Sequence, residues 1–264
     1  MKNLKIISFL IILTLCGACS QLKQNGGESS NSATKSSAEK TDGAVNFPRN
    51  LKNSFRDFEI DNEISAVVTL PNNSDIFYRA DKEKISADAL GKKFEEYWGA
   101  METLSNDTKT VYLIADSGND YAGLVKIFEL ARKNKIYNIK LVVSPNDKAD
   151  AKNVLEVLLP ELPRNSSAPV KPNPLTLIAA LQKDGKINLN NEQNTLDSLK
   201  ARLKEVFRNR EENGVFREGT NEVYKTVTVK GLRSAKYAEI AKLVDALKEA
   251  GASPILLQID DLSD

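Results

Sequence analysis

Two stretches set the reading of this chain. The first is Tyr121-Ala122-Gly123-Leu124-Val125-Lys126-Ile127-Phe128-Glu129-Leu130-Ala131-Arg132-Lys133. The second is Tyr237-Ala238-Glu239-Ile240-Ala241-Lys242-Leu243-Val244-Asp245-Ala246-Leu247-Lys248-Glu249. In each, apolar residues recur at helical spacing, so each predicts an amphipathic helix with one face inward. Each is followed by a short β-type run, residues 139–143 and 255–259. The two copies align without a gap: Tyr121 with Tyr237, Leu124 with Ile240, Ile127 with Leu243, Ile139 with Ile255 and Leu141 with Leu257, all 116 positions apart.

Working outward, the flanks repeat as well. Residues 64–70 are strand-like, Pro71-Asn72-Asn73-Ser74 is turn chemistry, and residues 76–78 can pair back. Ser86 opens a helical run carrying Leu90, Phe94, Tyr97 and Trp98, and residues 111–115 form a short apolar strand. In the second half, residues 175–181 and 187–189 flank the turn Lys183-Asp184-Gly185. Thr195 caps a helix with Leu199, Leu203 and Phe207 inward, residues 223–229 alternate as a strand, and Gly251 stands past the last helix. Ser86, Asp88, Leu90 and Phe94 align with Thr195, Asp197, Leu199 and Leu203, 109 positions apart. The change of spacing places an insertion near residues 208–220, a charged, glycine-bearing stretch expected to be a surface loop. Each half thus reads β-β-α-β-α-β. Between them, residues 147–159 read as a helix with Val154, Leu155, Leu158 and Leu159 apolar, and residues 165–174 as a Pro/Ser linker.

The N-terminus has a different character. Lys2 and Lys5 precede an apolar run over residues 4–15 that is shorter than the ~20 residues a spanning helix needs. A basic start, a short apolar core and small residues behind it make a secretory signal. It ends Leu15-Cys16-Gly17-Ala18-Cys19-Ser20, which resembles a bacterial lipobox, with Cys19 the lipid acceptor and Cys16 standing where such motifs carry Leu. Two or more acyl chains make a stable anchor where one is marginal. Residues 20–44 carry a single large apolar side chain, Leu22, so they should be a disordered leash of roughly 25–30 Å r.m.s. span.

Composition removes whole classes of chemistry. The 264 residues include no histidine, which excludes Ser-His-Asp and Cys-His catalysis and histidine-ligated metals. The two cysteines both lie before residue 20. With 37 Lys+Arg against 36 Asp+Glu, no bulk charge argues for nucleic acid. Asp116 and Asp120 lie in a βα loop, where Asp120 is expected to cap the following helix. Phe94, Tyr97 and Trp98 read as an inward helix face rather than a sugar platform. Asp260-Asp261-Leu262-Ser263-Asp264 lacks the glycine and distal glutamate of a calcium loop and reads as a solvated tail. No cofactor or metal site is expected.

Each half resembles the periplasmic domain of the ExbD/TolR biopolymer-transport family. The carrying residues are Val111 to Asp116, Tyr121 and its helix, and Ile139 to Val143; then Val227 to Val229, Tyr237 to Ile240, Lys248 to Gly251 and Ile255 to Leu257. The resemblance implies an α+β fold, two tandem β-β-α-β-α-β domains with helices on one face of a sheet. Asp116 matches an acidic residue common after the third strand, but its repeat partner is Leu232. Members carry one such domain behind a transmembrane helix bearing a proton-coupling aspartate. Residues 4–15 contain no carboxylate, so that role is not carried over. Members pair as dimers, so the two halves are expected to form an internal pseudo-dimer.

The expected organisation is a lipoprotein signal over 1–18, a disordered tether over 19–48, a first domain over 49–145, a helix and linker over 146–173, and a second domain over 174–264. The expected function is a non-enzymatic, lipid-anchored envelope module that faces the periplasm, with the outer membrane the expected location. Its expected partners are an envelope peptide added at a sheet edge, or peptidoglycan. The competing class is an envelope hydrolase using two carboxylates in a cleft. A fatty-acid labelling experiment tests the anchor: the native chain takes up label and partitions into membranes, and Cys19→Ser loses both. A native chain that takes up no label overturns this reading of Cys19.

Overall fold

The computed structural model describes residues 45–49, 51–56, 66–79, 84–100, 109–144, 153–161 and 173–264. The signal, Cys19 and most of the leash lie outside the described residues. All described residues fall within one compact unit, 41–264.

In chain order the elements are β1 (Phe55–Arg56), β2 (Ala66–Leu70), β3 (Ile76–Tyr78), β4 (Lys84–Ile85), α1 (Ala87–Ala100), β5 (Thr110–Ala115), α2 (Tyr121–Lys133), β6 (Asn138–Val143) and β7 (Asn153–Leu158). They continue with β8 (Leu177–Leu181), β9 (Ile187–Leu189), β10 (Glu192–Asn194), α3 (Leu196–Glu212), β11 (Val227–Lys230), α4 (Tyr237–Glu249) and β12 (Ile255–Leu257). Each half therefore has the order read from the sequence, with a short extra strand just before its first helix, β4 or β10, and with β1 added ahead of the first half.

The strands form one mixed sheet in the order β10-β9-β8-β11-β12-β7-β6-β5-β2-β3-β4. Read from β7 outward, the two sides list equivalent strands. β2, β5 and β6 run parallel to one another, as do β8, β11 and β12. β7 is antiparallel to β6 and parallel to β12, so the two parallel sets run in opposite directions.

Alternation along the strands sorts side chains between the faces. Val111, Leu113 and Ala115 of β5 and Val227 and Val229 of β11 join the large core. All four helices send residues into that core: Leu90 and Phe94, Leu124 and Phe128, Leu199 and Leu203, Ile240 and Leu243. The opposite face holds a small cluster of Tyr112, Val142 and Val154, with Phe47, Val67 and Ile114 against it and no helical residue in it. The helices thus pack on one face.

The segment read as a helix over 147–159 is corrected. Its described part is strand β7, paired over six residues with β6, from Asn138 opposite Leu158 to Val143 opposite Asn153. Val154, Leu155, Leu158 and Leu159 fit helical spacing, yet Leu155, Val157 and Leu159 share the large core while Val154 lies in the cluster on the other face. With Val154 buried on one face and Leu155, Val157 and Leu159 on the other, the apolar residues fall next to one another in sequence and imitate helical spacing, although Glu156 is exposed. Two flanking parallel sets with open edges need a strand between them to satisfy their backbone groups.

Residues 46–48, read as the end of the leash, are docked. The Ser117 N–H donates to the Asn46 carbonyl at 2.7 Å and the Ser144 N–H to the Pro48 carbonyl at 2.9 Å. This strap continues to Leu51, which is buried in the large core, and to β1, which pairs with β7 at Phe55–Val154. β12 takes the same edge of β7 further along, at Leu158.

Leu155 is fully buried in the seam strand. Leu155→Ala is expected to cost about 2–5 kcal/mol in urea unfolding, whereas the exposed Glu156→Ala stays within about 0.5 kcal/mol. Equal costs at both positions would contradict a two-faced strand.

Candidate functional site

The site with the densest specific geometry is the midline where α2 and α4 begin. Its hydrogen bonds are reciprocal. The Tyr121 N–H donates to the Ala235 carbonyl at 2.7 Å, and the Tyr237 N–H to the Asn119 carbonyl at 2.8 Å. The Ala122 N–H donates to Arg233 and the Ala238 N–H to Ser117, both at 3.0 Å. The Tyr121 hydroxyl donates to the Gln258 carbonyl at 2.8 Å, and the Tyr237 hydroxyl to the Val142 carbonyl at 2.9 Å. Every bond has a counterpart displaced by the same spacing, the 116 that separates Asp120 from Lys236. Contact of i with j matched by j with i is the signature of an isologous interface. Both tyrosines are fully buried, and burial pushes both phenols well above their ordinary range, so they act as neutral donors.

The bonds fall where they do because the first four N–H groups of a helix lack partners within it. Here α2 and α4 borrow carbonyls from each other's entry loops. Asp120 and Lys236, the residues just before the two helices, form an antiparallel bridge, and Lys236 Nζ lies 2.6 Å from Asp120 Oδ1.

The expected cap at Asp120 is corrected. Its side chain makes no capping bond to α2. Its carboxylate accepts instead from Lys236 and from Asn73 Nδ2 at 3.0 Å, and Asn73 Oδ1 accepts the Asp120 N–H at 2.7 Å. A charged partner across the midline and an amide from the β2–β3 turn outcompete the local cap. Asp116 works separately: its two oxygens accept the Asn46 N–H at 2.9 Å and the Gly118 N–H at 2.8 Å. These partners shape a loop and hold the strap, and they do not make an acid–base pair with Asp120. Thr195 does cap α3, in a reciprocal box with Ser198.

Phe94 and Tyr97 are buried core residues, and the ring of Phe94 stands edge-on to Tyr78 at 6.3 Å. The side chain of Trp98 lies outside what is described. The acidic C-terminal run is largely exposed, as expected of a solvated tail, but it is tied down at two points. Asp260 receives both arms of Arg132 at 2.5 and 2.6 Å, which holds its carboxyl below the usual range. The Arg233 N–H also donates to the Ser263 carbonyl at 3.0 Å.

A groove of about 840 Å³ runs between the strap, α3 and α4. Its carboxylates are engaged. Asp245, only 8% exposed, accepts the N–H groups of Lys52 and Asn53 at 3.2 and 2.7 Å. Asp197 and Glu249 both face Lys200 Nζ, at 3.0 and 3.3 Å. A hydrolase needs one carboxyl free to give a proton and one free to attack or activate water. In this groove all three are tied to donors. The chemistry present is attachment of a strap to a helix.

Sequence reasoning missed the Asp120–Lys236 pair, the Asp245 anchor and the Arg132–Asp260 fork. The first was recoverable, since the repeat spacing itself sets Asp120 opposite Lys236. The other two join segments far apart in sequence and leave no local pattern.

Residues 149–262 match the model of a family described as Biopolymer transport protein ExbD/TolR. The matched stretch includes β7 and every element from β8 to β12. No curated protein and no solved structure matches the chain. Over this stretch the chain is similar to an envelope-associated, transport-related family whose members are not enzymes, which is consistent with a non-catalytic role. Among the described residues, no helix is long and apolar enough to cross a membrane.

Tyr121→Phe and Tyr237→Phe each remove one buried donor and leave a carbonyl unpaired. Each is expected to cost about 0.5–1.5 kcal/mol, and the two costs should agree within about 0.5 kcal/mol in urea unfolding. A large loss at one and none at the other would break the equivalence of the two sides.

Proposed function

We propose that this protein is a lipid-anchored, non-catalytic binding or scaffolding module of the cell envelope, associated with biopolymer transport. In this reading it carries two tandem ExbD/TolR-like domains closed into an internal pseudo-dimer. The signal over 1–18 is removed, Cys19 carries the lipid, and the body faces the periplasm, by preference from the outer membrane.

The observation that carries the functional reading is the family match over residues 149–262. The tandem arrangement draws its support from the reciprocal hydrogen bonds at the midline. They have the form of a two-fold interface, yet both partners belong to one chain. A pair that is already joined leaves its outer strands, β4 and β10, as the ends of the sheet. Each pairs on one side only among the described residues, so each offers backbone groups to an extended peptide.

Strand addition is tested with Gln193→Pro, which removes a backbone donor from β10. In pull-downs from envelope extract, a partner captured by the native chain and lost by this variant supports strand addition there. Unchanged capture overturns it. Sedimentation of the native chain with purified sacculi, without peptide capture, replaces this reading with peptidoglycan binding.

A further inference from the structure

The backbone bonds at the midline cannot tell one half from the other. Tyr121 N–H to Ala235 O and Tyr237 N–H to Asn119 O use main-chain groups at equivalent positions. Geometrically, two copies of either half could make the same bonds with each other. A chain with two self-complementary halves is therefore exposed to pairing with other copies and to domain swapping. At the midline itself, discrimination must come from side chains that differ between the halves.

Asp120 and Lys236 are those side chains. Each faces its own repeat equivalent, 116 positions away, so the pair lies on the pseudo-two-fold axis. A residue on such an axis meets itself in a homodimer. Two first halves would set Asp120 against Asp120, and two second halves would set Lys236 against Lys236. Only the mixed pair sets opposite charges together, at 2.6 Å. Both groups are held at the axis: Asp120 by Asn73 on two atoms, and the Lys236 N–H by Glu239 Oε2 at 2.8 Å.

We propose that Asp120 and Lys236 are specificity-determining residues: their opposite charges on the axis select pairing of the unlike halves and reject pairing of like ones. This rests on the pseudo-dimer reading. An exposed ion pair contributes little to stability, but specificity depends on the difference between attraction and repulsion at one place, which is larger.

The test uses the full chain in three forms: Asp120→Lys, Lys236→Asp and the double reversal. Each single change places like charges on the axis and is expected to lower Tm by about 2–4 °C. The double reversal recovers to within about 1 °C of native. The neutral changes Asp120→Asn and Lys236→Gln lose less than the like-charge ones. The second readout is partner exchange. Asp120→Lys and Lys236→Asp chains with different tags are unfolded and refolded together. Crossed pairing restores opposite charges at both axes, so mixed dimers form in excess over self-dimers, and the excess shrinks in 0.5 M salt. No recovery in the double reversal, or mixed and self-dimers in random proportion, overturns the proposal. Unequal Tyr121→Phe and Tyr237→Phe losses would instead break the pseudo-dimer reading, so the two failures are distinguishable.

Discussion

The structure depends on how two helix N-termini are satisfied. An α-helix leaves its first N–H groups without internal partners, and burial makes that costly. α2 and α4 meet this need with carbonyls from each other's entry loops. The constraint is strict because it is mutual: moving one helix start unpairs donors on both sides. The rest follows from it. With the helix starts locked, β5 and β6 on one side and β11 and β12 on the other run in opposite directions, and the space between needs one further strand. β7 fills it, antiparallel to β6 and parallel to β12.

β7 stands apart from the element order that its two sides share. Among the described residues it has no counterpart on the other side, and its two edges are used unequally. One edge is paired along six residues by β6. The other is shared by β1 near Val154 and β12 at Leu158. The sheet is therefore continuous across the midline while the two sides remain distinct. The stretch between the halves, read from sequence as a helix and a linker, contains the strand that joins them.

What could be read from the sequence was what repeats. The α2 and α4 faces were legible because Leu124, Ile127, Ile240 and Leu243 recur at helical spacing against one large core. Thr195 was legible because capping is settled within four residues. β7 was not, since Val154 and Leu155, and Leu158 and Leu159, put apolar neighbours on opposite faces and blur the alternation that identifies a strand. The role of Asp120 was misread for a related reason: a local cap was available, and a partner 116 residues away took the carboxylate instead. Asp245 and Asp260 were invisible because their partners, the strap and Arg132, come close only in the folded chain.

The strap has a mechanical consequence. Asn46 is bonded to Asp116 and Ser117 beside α2, while Lys52 and Asn53 are bonded to Asp245 on α4. Within a few residues the chain thus grips both sides of the midline before it enters the sheet as β1. Traction applied at residue 45 reaches Asn46 and Pro48 first, and Asp245 and β7 only after those contacts yield. The bonds are loaded one after another, so a pull from the N-terminal direction peels the strap from the α2 side before it loads α4 and the sheet.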